Sequence, residues 1–567
     1  MTRVLHWLAC WFALPALGLA GPLREFQFED VTEKAGLSKA VVGLYNHAVA
    51  WGDFDNDGLL DLFSGSFADK GYDKSLGQKQ PVGNQLFRQT APGTFERFPC
   101  PPVDIQARCS GAVFVDLNNN GNLDLYVTSN KLEKTSAKEP ANSPRVQGCR
   151  LYGNDGKGTF VDVSAECGAC PPTLFRGRDI GVLDYDNDGL LDLLVIQDQV
   201  VEKDGKVYGS RLFRNLGNLR FEDVTEKAGL PKDLWGAGLV VGDVNGDGRP
   251  DIFVAYSNRL FVSQPLNTYK EAEGLRGVFD HKATDPEDIV VGAAFGDIDR
   301  DGDLDLISGT HHTRGLSRVH VFLNEGVKDG MPVFREITKE LGIPILPQRN
   351  PSPDIQDLDN DGWPDLYWSA FFAEGESRQP FICRGLGKKK GLPRFTVPTV
   401  AEVKPEYGKD KVLVNAPPAR GMGMVYYVDG PAVDFDGDGR LDIFGGGWPP
   451  EGSRLFRNVT PLTVNTSAGE MQRHWLQVRV EGKLMNRMGV GAKVRVYAQG
   501  KAGDRSALLG YQEISVNVGY SSSRPAVAHF GLGQAATCDV EVTFPSRAEP
   551  LVLANVKGNQ RLVVREP

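Results

Sequence analysis

The sequence predicts an all-β protein, a seven-bladed β-propeller followed by a small C-terminal β-sandwich. Three observations carry this. A nonapeptide, D-x-[DN]-x-[DN]-G-x-x-D, recurs seven times, opening at Asp53, Asp116, Asp184, Asp243, Asp297, Asp357 and Asp434, at steps of 54 to 77 residues. Each copy lies between two short apolar runs. The string Phe28-Glu-Asp-Val-Thr-Glu-Lys-Ala-Gly-Leu37 recurs as Phe221–Leu230 inside the chain. Self-similarity at such a period marks a repeat architecture.

The elements follow in order within each repeat. Ala48–Trp51, Ala112–Val115 and Leu239–Val241 precede nonapeptides; Leu62-Phe63, Leu125–Val127, Leu193–Ile196 and Ile252–Val254 follow them. Short β-branched and aromatic runs bounded by Gly and Asp read as buried strands, so the nonapeptide is a strand–loop–strand connection. Leu86–Arg88, Leu151-Tyr152, Leu212–Asn215, Phe322–Asn324 and Leu455–Asn458 read as third strands. Thr94-Phe95, Thr159–Val163, Arg220–Thr225 and Val333–Ile337 read as fourth strands, and four strands per repeat make a propeller blade. Phe28–Leu37 is then a fourth strand without its first three, and the last repeat stops after its third. The N-terminal strand therefore completes the last blade and closes the ring without an exposed edge; a solenoid needs no such permutation. After about Thr460 the nonapeptide is absent. Trp475–Val480, Ala492–Tyr497, Val540–Phe544 and Arg561–Val564 alternate with period two, as half-buried antiparallel strands of a separate sandwich do.

Of the 567 residues, 66 are Gly and 35 Pro, a turn-rich but foldable composition, and the net charge of −10 argues against phosphate-driven nucleic-acid binding. Arg3, the apolar stretch Val4–Leu19 and the small residues Gly18 and Ala20 read as a cleaved secretory signal. The expected division is a signal at 1–20, a propeller at 21–460 and a sandwich at 461–567, in a soluble, exported protein with no membrane span. It is secreted and extracellular, or periplasmic or cell-surface in a bacterium. Export permits disulfides. Cys100, Cys109, Cys149, Cys167 and Cys170 cluster in sequence and are expected to form one or two local bridges, while Cys383 and Cys538 stand apart. Without Cys10 the count is odd, which leaves a thiol over. Cys167-x-x-Cys170 lacks the second pair a zinc site needs.

The nonapeptides carry the chemistry. Calcium takes six to eight hard oxygen ligands. Carboxylates at positions 1, 3 and 5 of a tight loop point at one centre, Gly at 6 permits the sharp turn, and Asp at 9 closes the shell. No loop contains Cys or His, which disfavours zinc and copper. The expected ligands are Asp53, Asp55, Asp57 and Asp61; Asp116, Asn118, Asn120 and Asp124; Asp184, Asp186, Asp188 and Asp192; Asp243, Asn245, Asp247 and Asp251; Asp297, Asp299, Asp301 and Asp305; Asp357, Asp359, Asp361 and Asp365; and Asp434, Asp436, Asp438 and Asp442. Up to seven structural calcium ions are expected, the Asp116 loop being the weakest site or an empty turn. These are not EF-hands, which need Glu at position 12; that position holds Ser64, Val127, Val195, Val254, Ser308, Trp368 and Gly445.

The nonapeptides with their flanking strands resemble FG-GAP/VCBS repeats, which build the calcium-bearing propeller of integrin α-subunits. His474-Trp-Leu, Asn486–Ala492, His529–Gly533, Val540–Ser546 and Asn559-Gln-Arg-Leu are similar to the ASPIC/UnbV domain. Together they resemble the secreted cartilage acidic proteins and their bacterial relatives. The resemblance implies a non-catalytic binding or adhesion protein with an extracellular protein or glycan as partner. The alternatives are a polysaccharide-active enzyme on a propeller and a structural scaffold. Neither H-E-x-x-H nor G-x-S-x-G occurs, and the paired carboxylates are committed to the loops. A ligand face is expected on the rim opposite the nonapeptides, with His47, Arg108, Arg178, Trp235, His311 and Trp448, flanked by Tyr45, Arg176 and His312. Aromatic and Arg residues favour binding hot spots. His529 and Arg487 are expected to be structural.

Overall fold

The nonapeptide joins the first two strands of each of seven sheets in the repeat region. The structure is a computed structural model describing residues 26–567 except 69–77, 131–147, 202–203, 281–288, 312–317, 345–348, 370–380, 398–427, 449–451 and 467–468. The expected signal segment and His312 lie outside the described residues. In the first sheet Asn46–Gly52 leads through the Asp53 loop to Asp61–Ser66, then Gln85–Ala91 and Thr94–Phe98, antiparallel throughout. The same order builds the next four sheets, which open with Cys109–Val115, Gly177–Leu183, Leu239–Gly242 and Ile289–Gly296. The sixth holds Pro353–Gln356, Asp365–Trp368 and Phe381–Cys383, followed by a hairpin of Gly385–Lys389 and Leu392–Phe395.

The seventh sheet closes the array as the repeated string requires. Val428–Asp429, Ile443–Gly446 and Arg454–Asn458 are joined on the outside by Phe28–Asp30, with Phe28 opposite Asn458 and Asp30 opposite Phe456. The two copies of the string make equivalent bonds. Val31 donates to the Leu455 carbonyl (2.9 Å) and Thr32 Oγ1 accepts from Leu455 N–H (2.9 Å). In the third sheet Val224 donates to the Leu212 carbonyl (2.9 Å) and Thr225 Oγ1 accepts from Leu212 N–H (3.0 Å). Ala35 and Ala228 then each accept through their carbonyls from the following sheet, at Phe95 and Tyr269, both at 2.8 Å. Sequence identity here is identity of local bonding. Apolar faces pack between neighbouring sheets. Trp51 of the first sits edge-on to Phe95 and Phe444, with centroids 6.0 and 6.3 Å away, and stacked on Phe435 at 6.4 Å, so the first and last sheets share one core.

The C-terminal part forms two sheets. One is Val527–Gly533, His474–Glu481 and Gln560–Arg565; the other is Leu508–Glu513, Lys493–Ala498, Thr537–Thr543 and Leu551–Lys557. Alternation buries Leu476, Val478, Val494, Val496, Val540 and Val542. This part also reaches into the repeat region. The hairpin of Asn517–Val518 and Ser522–Ser523 extends into the repeat region, where Ser522 and Ser523 pair in parallel with Val49 and Ala50 of the first sheet. Asn517 brackets the third sheet, accepting from Val182 N–H (3.0 Å) and donating to the Ile180 carbonyl, and Gly519 bridges to Ala293 of the fifth. One hairpin touching the first strands of the first, third and fifth sheets lies among all of them, filling the axis of the propeller. Tyr520 at its tip packs with Phe67, Ala237, Val291 and Trp448. Gly519 has φ +63, and a Cβ there would stand 2.2 Å from Ser352 Oγ. Among the described residues no helix is long and apolar enough to cross a membrane.

Phe28 is fully buried against the last sheet. Phe28→Ala removes the side chain that seats the closing strand, and a loss of about 3–5 kcal/mol in urea unfolding is expected; a loss under about 1 kcal/mol means the closing strand is not needed.

Candidate metal centres

Each nonapeptide is shaped by two left-handed residues. Position 4 has positive φ in all seven copies, as Asn56, Asn119, Asn187, Gly246, Arg300, Asn360 and Gly437, with φ from 54 to 81. Position 6 is Gly in all seven, with φ from 84 to 93. Asn and Gly tolerate this region, so the frequent N-D-G and G-D-G endings are backbone requirements. The turn brings N–H groups onto the carboxylate at position 1: Asp53 accepts from Asp57 (3.1 Å) and Gly58 (2.9 Å), and the bond from the position 6 glycine recurs in every copy.

The carboxylate at position 9 pins three segments together. Asp61 accepts from Phe54 N–H at position 2 (3.0 Å) and from Gln89 N–H on the third strand (2.8 Å). Asp124, Asp192, Asp251, Asp305, Asp365 and Asp442 repeat both bonds at 2.7–3.2 Å. All seven are fully buried.

Five of the seven loops gather three carboxylates whose oxygens lie within 4.8 Å of one another: Asp53, Asp55 and Asp57; Asp184, Asp186 and Asp192; Asp297, Asp299 and Asp305; Asp357, Asp359 and Asp361; Asp434, Asp436 and Asp442. These are the loops with four carboxylates. The Asp116 loop, with Asn118 and Asn120, and the Asp243 loop, with Asn245, form no such group. Desolvation raises the buried acids, Asp61 to about 8 and Asp124, Asp184 and Asp297 to about 7. Neighbouring carboxylates push in the same direction at Asp184 and Asp297. A cluster that resists ionisation for want of positive charge, built only of hard oxygens, fits a divalent cation such as calcium.

Part of the compensation is built in. Arg88 pairs with Asp55 (2.6 Å) and Asp57 (3.5 Å), Arg214 with Asp186 (2.7 Å) and Asp188 (3.0 Å), and Arg457 with Asp436 (2.5 Å) and Asp438 (3.0 Å), each from a third strand. Arg384 serves Asp359 (2.6 Å) and Asp361 (2.5 Å), and Lys388 serves Asp299 (3.1 Å). Sequence reasoning missed these cations and the asparagine beside them. Asn215 Nδ2 donates to the Leu191 carbonyl of its own loop (2.8 Å) and to the Leu117 carbonyl of the preceding one (2.7 Å). Asn154, Asn324 and Asn458 bridge loops in the same way. The signal was the L-F-R-N string, present at Leu212–Asn215 and Leu455–Asn458.

The C-terminal sheets cover this acidic rim. Arg473 Nη1 reaches Asp359 (3.0 Å), Arg561 and Gln477 reach Asp434 (3.2 and 2.9 Å), and Arg487 N–H donates to Asn119 Oδ1 (2.9 Å). His529, fully buried, has Nε2 2.9 Å from Asn360 Oδ1 and is held neutral by desolvation, down to about 3. His529 and Arg487 thus sit at the contact between the two parts.

The expected ligand-face residues gather at the other end of the axis, around the hairpin tip. His47 stacks on Phe67 (4.1 Å) and meets Tyr520 edge-on (5.4 Å); Arg108 lies over the Phe67 ring (4.6 Å). Trp448 Nε1 donates to the Asn46 carbonyl (2.9 Å), Arg178 forks onto Asp198 (2.8 and 3.1 Å), and His311 Nε2 is 3.2 Å from Arg349. Trp235 packs edge-on to Tyr256 (4.4 Å). These side chains have partners within the chain, and Tyr520 of the hairpin packs beside Phe67 and Trp448. No disulfide joins the cysteines of the described residues, so the local bridges expected from sequence are not formed; Cys109, Cys383 and Cys538 are buried in three different sheets.

Asn215→Ala strands two buried carbonyls of adjacent loops. It is expected to lower stability by about 1–3 kcal/mol in urea unfolding, and an unchanged midpoint would refute the bridging role. His529 takes up a proton on unfolding, since its folded value of about 3 lies below the ordinary 6.5. Its contribution is complete above pH 6.5 and is lost as pH falls below it, at about 1.4 kcal/mol per pH unit. His529→Gln is expected to make the decline in stability from pH 6.5 to 5 shallower by about that slope; parallel profiles for the two proteins would contradict a neutral buried His529.

Two family profiles match parts of the chain. An FG-GAP-like repeat profile matches residues 53–127, 196–254 and 297–368, and an ASPIC and UnbV profile matches 482–567. Cartilage acidic protein 1 of Homo sapiens is 25% identical over 518 residues, covering 88% of this chain and 69% of that protein. The Mus musculus protein of the same name is 27% identical over 384 residues, covering 66% of this chain and 52% of its own length. Among solved structures, the Dos1 propeller aligns over 76% of this chain and 86% of its own at 9% identity and a TM-score of 0.30. The chain therefore carries FG-GAP-like repeats in a β-propeller and a C-terminal segment that matches the ASPIC and UnbV profile, and it is similar to cartilage acidic protein 1.

Proposed function

We propose that the protein is a secreted, non-catalytic binding protein of the extracellular or periplasmic space whose seven-bladed propeller is stapled by calcium. Residues 1–20 are the export signal, 21–460 the propeller and 461–567 the C-terminal domain. The observation that carries this reading is the gathering of three carboxylates within 4.8 Å in five equivalent loops on one rim. Asp at positions 1, 3 and 5 supplies side-chain oxygens there and Asp at 9 pins the loop. When bound, calcium supplies the positive charge that the desolvated acids lack. A site with a Kd near 10 μM in ~1 mM calcium stabilises the fold by about 2.7 kcal/mol, so several sites together dominate the stability of the rim. The similarity to cartilage acidic protein 1 supports a role in contacts with an extracellular protein or glycan. The loop carboxylates support a non-catalytic role, since backbone N–H groups and arginines already hold them in fixed positions.

Calcium titration of the purified chain from residue 21 is expected to raise the melting temperature by more than 10 °C relative to EDTA, and Asp297→Asn is expected to reduce both the rise and the number of ions bound. Identical melting curves in calcium and EDTA, with no binding by calorimetry, would remove calcium from the reading and leave the propeller alone.

A further inference from the structure

We propose that the fourth nonapeptide, Asp243–Asp251, takes no metal ion, and that Lys493 of the C-terminal domain supplies its cation and so locks the domain onto the propeller. The inference rests on the calcium reading of the other loops for its contrast, but the lock itself does not need it.

Lys493 opens the strand Lys493–Ala498 and is 8% exposed. Its ammonium forms an ion pair with Asp243 Oδ2, a carboxylate that is itself buried. Asp243 is position 1, where the other loops present their first ligand oxygen. Glu513, opposite Lys493 in the neighbouring strand, accepts from Asp243 N–H (3.0 Å), so the C-terminal domain grips both the backbone and the side chain of one residue.

The remaining ligand positions are also engaged. Position 3 is Asn245, whose amide donates to Asp247 Oδ2 (3.0 Å) and to the Gly330 carbonyl (3.1 Å). Arg249 Nη2 donates to the same Asp247 oxygen (2.6 Å). On the third strand Val262 stands where Arg88, Arg214 and Arg457 stand in their sheets, so no strand cation reaches this loop from there; Ser263, in the place of Asn215, accepts at its hydroxyl from Arg249 Nε (2.9 Å). This loop does not gather three carboxylates as five others do. The Asp434 loop gives the contrast. Its position 1 acid also meets a C-terminal cation, Arg561, but that side chain is half exposed and three carboxylates still converge there. At Asp243 the cation is buried, and a divalent ion placed on the same oxygens would face an ammonium with no water to screen it.

The test is radiocalcium equilibrium dialysis and thermal melting, in calcium and in EDTA, of the chain from residue 21 as wild type, Asp243→Asn, Lys493→Met and Asp297→Asn. Asp297→Asn is expected to bind one ion fewer than wild type. Asp243→Asn is expected to bind as many ions as wild type and to melt lower by the same margin in EDTA as in calcium. Lys493→Met is expected to melt lower in EDTA as well; if it does not fold, Asp243→Asn decides. One ion fewer in Asp243→Asn, or a destabilisation seen only in calcium, overturns the proposal. A wild type that binds no calcium ends the calcium reading of the other loops. The lock is then judged in EDTA alone, where unchanged melting of Asp243→Asn overturns it.

Discussion

Everything in the propeller depends on holding a buried carboxylate at the ninth position of each nonapeptide. Asp61 and its six equivalents each accept one N–H from the loop and one from the third strand or, for Asp365, from Gly385 just beyond it. That pair of bonds fixes the angle at which three strands leave the rim. A lone buried carboxylate is costly, and two backbone bonds do not cover the cost, since desolvation still lifts Asp61 to about 8. Positive charge must come to the rim. It comes from arginines on the third strands, from lysine and arginine of the C-terminal domain, and, on the proposed reading, from calcium.

This explains which rim the C-terminal domain covers. Its contact side carries Arg473, Lys493 and Arg561, each paired with a loop carboxylate. The domain therefore lies on the acidic rim and sends its hairpin down the axis toward the basic, aromatic end. Where it lifts away, a cavity of about 580 Å³ opens above the Asp53, Asp116 and Asp434 loops, roofed by Arg479, Arg487 and Arg561. Small residues made the axis passable: a Cβ on Gly238 or Gly292 would stand 3.3 or 2.8 Å from the Gly519 carbonyl of the hairpin.

The repeat, the strand order and the closing strand were legible in the sequence because each is a local pattern that recurs. Phe28–Leu37 could be placed because Phe221–Leu230 shows what such a string does. The loops that gather carboxylates were legible for the same reason, and so was the lack of such a group in the Asp116 loop, where asparagines replace acids. The bridging role of Asn215 and its equivalents was not. A lone Asn after L-F-R looks like a strand end, and its partners lie in two loops far apart in sequence. The hairpin at Asn517–Ser523 was not legible either. It has no amphipathic period, because its surroundings are strands on all sides rather than a core and solvent. Lys493 reads as one more strand cation until Asp243 is found against it.

The ring and its cap also constrain one another. Phe28–Asp30 pairs with Arg454–Asn458 across the whole run of intervening sheets, a highly non-local contact. The hairpin pairs with Val49 and Ala50 of the first sheet across a still longer interval. Such contacts bear the largest loop-closure cost. Both fall on the first and last sheets, whose shared core around Trp51 is the seam of the ring. A hairpin that binds the first sheet on its axial edge, and also meets the third and fifth, holds that seam from inside while the N-terminal strand holds it from outside. The charged contacts on the rim then act on a ring that is already closed. That is why a missing loop cation can weaken one sheet without opening the whole: the closure is made by backbone pairing and apolar packing, and the cations set how firmly each sheet is held to it.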